Sequence, residues 1–213
     1  MRFSEIINEA QHGKKGRHAD IQHFDSPGYF TVGDSHSNGV GDYGDGPVWK
    51  AMGMDGAPST NSMHISAINR IPKGSVVAIS LGANDLGIHK SPISEIVSRV
   101  QSIIDHAKSK GLKVVYLIPT GTKDPKAKPG VPEARDALRE AMMSNINVPT
   151  YDLGYCVGKP SDDGLHRSMA FYASIARQIV NAFEINTSTP VKPAVKQDKF
   201  NFRSELDKLD PNR

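Results

Sequence analysis

Tyr29-Phe30-Thr31-Val32-Gly33-Asp34-Ser35-His36-Ser37 runs apolar and β-prone, then breaks at a glycine followed by Asp and Ser. A buried strand that ends in a small-residue turn delivers a side chain to the carboxyl edge of a sheet, where ligands of open α/β folds sit. Ser35 therefore falls where a nucleophile is useful. Taken alone, Gly-Asp-Ser is a common turn triplet. Two later stretches give it meaning.

The next run of this kind, Ser75-Val76-Val77-Ala78-Ile79-Ser80-Leu81, is apolar on both faces and stops at Gly82. That pattern belongs to a strand covered on both sides in a parallel sheet. From Ser91 to Lys110, Ile93, Ile96, Val97, Val100, Ile103, Ile104 and Ala107 keep helical spacing, and Gly111 closes the helix. Leu112 to Ile118 predicts another strand, ended by Pro119. Residues 120–131 read as a polar loop, 132–143 as a helix with proline in its first turn, 147–153 as a short strand, and 167–183 as the last helix. A short strand or turn falls between 48 and 54, and a helix over 60–70. The glycine-dense segment 38–46 is a poor helix by propensity, so the first crossover is expected to hold a short helix or none. Alternating strands and helices imply right-handed βαβ crossovers and a parallel, doubly wound sheet.

The bulk properties fit one domain with modest extensions. The chain has 213 residues, 38% of them hydrophobic, and a net charge of +3 from 26 basic and 23 acidic residues. That near balance asks for no nucleic-acid partner. A single cysteine, Cys156, rules out an intrachain disulfide. No apolar run approaches the roughly 20 residues that span a bilayer, and the N-terminus lacks a signal-peptide core, so a soluble protein is expected. Residues 1–27 read as a short amphipathic helix and a basic, His-rich linker, 28–185 as the compact domain, and 186–213 as a flexible polar tail. His12, His18 and His23 lie in the linker without carboxylate or cysteine partners, so no metal site is expected there.

Chemistry ties Ser35 to two other stretches. Leu81-Gly82-Ala83-Asn84-Asp85 ends the second strand run, and Asp162-Asp163-Gly164-Leu165-His166 precedes the last helix. All three can meet at one sheet edge. A serine hydroxyl needs a base, and His166 can serve near neutral pH. An imidazole needs a carboxylate to hold its tautomer, and Asp163 is three residues away. A tetrahedral oxyanion needs fixed donors. The Asn84 amide, the Ser35 N–H and a glycine N–H, from Gly53 or Gly56, can supply them. Asp162 can cap the last helix, Asp34 and Asp85 read as structural, and His36 is expected to point away from the site.

These blocks, Gly33-Asp34-Ser35, Gly82-Ala83-Asn84-Asp85 and Asp163-Gly164-Leu165-His166, resemble the SGNH (GDSL-type) hydrolase family over roughly residues 28–184. The resemblance implies α/β architecture of the flavodoxin-like three-layer kind, with a parallel sheet of about five strands. It implies Ser35 as nucleophile and oxyanion donor, Asn84 as a further donor, His166 as base, Asp163 as its orienter, and ester hydrolysis without a cofactor. Gly56 aligns with the family's oxyanion glycine, while Ala51 stands where its asparagine usually does. The substrate expected is a carboxylic ester, above all an acetyl ester on a bacterial glycan. A lipase or thioesterase, or a non-catalytic module keeping the fold, are the alternatives. A nucleotide binder is disfavoured, because the chain lacks the phosphate-loop and dinucleotide fingerprints.

A second resemblance lies at the N-terminus. Met1 to Ala10, with Ile7-Asn8-Glu9, is similar to the segments that send proteins into the proheads of large tailed phages, which implies cleavage after Glu9. It implies a virion-associated protein, with virion contacts through the N- or C-terminal segments.

Overall fold

A computed structural model of the chain describes residues 24–43, 49–119, 131–153 and 166–183. The N-terminal helix and most of the linker, Asp162, Asp163, Cys156 and the C-terminal tail lie outside the described residues. Five parallel strands form one sheet: β1 (Tyr29–Gly33), β2 (Trp49–Ala51), β3 (Val76–Ser80), β4 (Lys113–Ile118) and β5 (Thr150–Asp152). Their order is β2-β1-β3-β4-β5. β3 is central, and β1 lies between it and the edge strand β2, with Tyr29 opposite Val76 on one side and Trp49 on the other.

Side chains alternate across the sheet and build two cores. Phe30, Val32, Val77, Ile79, Val114, Tyr116 and Ile118 face α2 (Met63–Ile68), α4 (Ile93–Ser109) and α5 (Val131–Asn145). Tyr29, Val76, Ala78, Val115 and Leu117 face α1 (Ser35–Tyr43) and α6 (Met169–Ala182). The result is the expected three-layer α/β/α sandwich. Phe24, ahead of β1, adds an edge-on contact to Phe30 at 4.9 Å between centroids.

The apolar runs read from the sequence become β1, β3, β4 and α4. Gly111, at φ +76°, ends α4 as expected. The first crossover holds a short helix, the nine-residue α1, which includes Gly39 and Gly41 despite their poor propensity. Packing overrides propensity here: a Cβ at Gly39 would lie 2.7 Å from the Tyr172 ring, and one at Gly41 would lie 2.6 Å from Thr31 Oγ1. Only glycines let this helix lie so close to the sheet and to α6. A short helix, α3 (Ala83–Gly87), also follows β3. Five residues are too few to show a period.

The core assignment of α4 is testable. Ile104 is fully buried between α4 and the sheet, so Ile104→Ala is expected to destabilise the protein by about 2–5 kcal/mol in urea denaturation. Ser98→Ala, on the exposed face of the same helix, should stay within about 0.5 kcal/mol. Equal losses would contradict the packing described.

Candidate active site

The site is built at the carboxyl ends of β1 and β3. Gly33 adopts φ +140°, and a Cβ there would stand 1.9 Å from the Ser80 carbonyl oxygen. Without one, the Asp34 N–H reaches that carbonyl at 3.0 Å and the chain turns at once from β1 into α1. Asp34 Oδ1 then accepts the His36 N–H at 3.0 Å, and Ser37 Oγ donates to the Asp34 carbonyl at 2.7 Å. Ser35 becomes the first residue of α1, half-buried, with its N–H at the helix N-terminus. The helix dipole there favours negative charge.

Ser35 and His166, 131 positions apart, meet at this edge. His166 Nε2 lies 2.8 Å from Ser35 Oγ. A hydroxyl in this bond can lose its proton to the ring as its oxygen attacks an electrophile. Asp163 falls outside the described residues. α6 begins just after His166 and is capped by Ser168, whose Oγ accepts the Phe171 N–H at 3.3 Å. The cap therefore differs from the expected Asp162. An extended Ser168 places its hydroxyl on that donor.

A loop carrying the candidate oxyanion glycines is fastened along β1. Met52 N–H donates to Thr31 O at 2.9 Å and Met54 N–H to Gly33 O at 2.7 Å. Asn38 Nδ2, on α1, donates to Asp55 Oδ1 at 2.8 Å. Gly53 passes so near α1 that a Cβ would meet Ser37 Oγ at 2.3 Å. Gly56 sits in the next turn at φ +73°, exposed, with open space where its Cβ would be. Asn84, in α3, donates through Nδ2 to Ala57 O at 3.3 Å, which ties it to the same loop. Asp85 is buried and accepts both the Ser59 N–H at 2.8 Å and the Ser59 hydroxyl at 2.6 Å, pinning the far end of the loop.

His36 points into the protein rather than to solvent at the site, in keeping with the expectation from the sequence. It is buried, with its ring centroid 5.2 Å from that of His166. No local signal announces this, because its partner Tyr172 is 136 positions away. Among the described residues no cluster of His, Cys, Asp or Glu is arranged to hold a metal ion. None of the described helices is long and apolar enough to cross a membrane.

A GDSL-like lipase from Bacteroides thetaiotaomicron matches with a TM-score of 0.56 at 17% identity, over 73% of this chain and 87% of that one. A member of the lipolytic G-D-S-L family from Veillonella parvula matches with a TM-score of 0.53 at 16% identity, over 77% of this chain and all (100%) of that one. The chain has the SGNH (GDSL-type) hydrolase fold. A longer protein from Bacillus subtilis shares it, with a TM-score of 0.52 at 19% identity, over 76% of this chain and 58% of that one. No family model and no curated protein matches the sequence.

Beneath Ser35 lies a buried acid. Burial pushes the Asp34 carboxyl up to about 7, against the pull of the His36 N–H, the nearby His166, the Ser37 N–H and the Ser80 hydroxyl. The Ser80 contribution is attraction across a gap, since neither Asp34 Oδ2 nor Ser80 Oγ completes a well-formed hydrogen bond. Tyr116, whose hydroxyl donates to Leu81 O at 2.7 Å, is raised well above its usual range by burial, then by Asp34 and Asp85.

The sign of the Asp34 shift gives a stability prediction. Its carboxyl holds a proton more firmly when folded than when unfolded, so between about 4 and 7 the folded state binds more protons. Stability from this group is present below the unfolded value and lost as pH rises through about 7. Asp34→Asn keeps the acceptor for His36 and removes the titration. Thermal melts from pH 4 to 8 should show a shallower fall in stability for the variant than for the wild type. Parallel curves would contradict the raised carboxyl.

Proposed function

We propose that this protein is a serine esterase that hydrolyses carboxylic esters through an acyl-enzyme. The observation that carries the reading is the 2.8 Å bond between His166 Nε2 and Ser35 Oγ at the carboxyl edge of the sheet. A turn serine with no chemical role has no need of a histidine delivered from the far end of the domain.

In this reading Ser35 Oγ attacks the ester carbonyl carbon while its proton passes to His166 Nε2. The oxyanion is received by the Ser35 N–H, the Gly56 N–H and the Asn84 side-chain amide. Among the described residues no group accepts a hydrogen bond from the Ser35 or Gly56 N–H, which leaves both available. Collapse breaks the bond to the alkoxide, which takes the proton from His166 and leaves as the alcohol. Water, deprotonated by His166, then attacks acyl-Ser35 and releases the acid. Asp163 is assigned as the orienter of His166 on its sequence spacing.

The substrate assigned is a short acyl ester, above all an acetyl group on a bacterial glycan. The glycine-rich first crossover and the lack of an apolar lid in the sequence support small acyl groups. A virion setting rests on the likeness of Met1 to Ala10 to prohead-targeting segments, and such a protein meets O-acetylated envelope glycans. Lipid esters form the second reading, favoured by the lipase and lipolytic descriptions of proteins sharing the fold.

The test is hydrolysis of p-nitrophenyl acetate and butyrate by wild type, Ser35→Ala and Asn84→Ala, purified alike. Ser35→Ala is expected to lose at least about 10³-fold in kcat, and Asn84→Ala about 10²-fold with a smaller change in KM. Equal turnover by wild type and Ser35→Ala would sink the esterase reading. A butyrate rate above the acetate rate would favour the lipid-ester reading.

A further inference from the structure

His36 follows Ser35 on α1, yet its ring turns inward and is only 1% exposed. Its Nδ1 lies 2.9 Å from the Tyr172 hydroxyl on α6. The same hydroxyl accepts the backbone N–H of Arg167 at 3.3 Å, and Arg167 directly follows His166. The Arg167 Nε in turn donates to Leu153 O, just past β5, at 2.9 Å. One tyrosine hydroxyl thus joins the residue after the nucleophile to the residue after the base.

We propose that His36, Tyr172 and Arg167 form a strut that positions His166 on Ser35; it rests on the esterase reading above. A phenol has one proton and can accept two hydrogen bonds. The Arg167 N–H takes one of those acceptor positions, and one proton joins the phenol oxygen to His36 Nδ1.

The strut is rigid on both sides. Tyr172 is buried, its ring lies flat against Tyr43 with centroids 6.3 Å apart, and Gly39 leaves room for it. Arg167 is held by its N–H at one end and its guanidinium at the other. His36 and Tyr172 act through His166 and are positioning residues. Their removal therefore lowers kcat, since a misplacement of about 1 Å can slow an oriented reaction about 10²-fold, and leaves KM nearly unchanged.

The experiment measures kcat and KM on p-nitrophenyl acetate, and the rate of fluorophosphonate labelling of Ser35, for wild type, Tyr172→Phe, His36→Leu, their double variant and His36→Asn. Tyr172→Phe and His36→Leu are each expected to slow kcat and labelling by about tenfold with KM within about twofold. The double variant should be no slower than the slower single one, because both break one chain. His36→Asn, whose Oδ1 can stand where Nδ1 was, should return to within about threefold of wild type. A loss caused only by disturbed packing would not be rescued by the polar Asn. Wild-type rates in both single variants, multiplicative losses in the double, or an Asn variant as slow as Leu would each overturn the strut alone. A wild-type Ser35 that does not label would overturn the esterase reading and the strut with it.

Discussion

The site depends on a steric fact at the end of β1. The Gly33 backbone runs so close to the Ser80 carbonyl that a Cβ would overlap it at 1.9 Å. With that space empty, Asp34 hydrogen-bonds Ser80 O and the strand passes into α1 within one residue. Ser35 is lifted above the sheet edge with its N–H at a helix start. Any side chain at 33 would push β1 from β3 and move the serine from the place His166 reaches.

Around that turn the chain uses buried polar groups as fasteners. Asp34 holds the first turn of α1, and Asp85 holds the loop at Ser59. Both sit under the candidate site, where water is excluded and each hydrogen bond is stronger for it. Asp34 shows the consequence of that burial: its carboxyl rises towards neutrality because its charged form is poorly solvated. The same exclusion of water makes the His36–Tyr172–Arg167 contacts directional, since no solvent competes for the tyrosine hydroxyl.

Much of this was legible in the residues. Val76 to Leu81 reads as a strand covered on both faces, and the spacing from Ile93 to Ala107 as an amphipathic helix. Gly-Asp-Ser, Gly-Ala-Asn-Asp and Asp-Gly-Leu-His stand at strand ends or before a helix, where reactive groups are useful. The α1 helix was only half legible, because propensity counts Gly39 and Gly41 as breakers and left a short helix or none open. In the folded chain they are the only residues that fit against Tyr172 and Thr31. The burial of His36 was hidden because its partner Tyr172 lies 136 positions away, whereas the cap at Ser168 is a local contact to Phe171, three residues on.

The sequence by itself determined the alternation of strands and helices, the parallel sheet, and the identity of the serine and histidine that meet. These follow from apolar period and glycine stops, which are local and act along the chain. Tertiary structure decided the pairing distances: Ser35 with His166, Asn84 with Ala57, His36 with Tyr172. Such contacts join positions 27 to 136 residues apart. No local preference encodes them, because they exist only once the two cores have closed on the sheet.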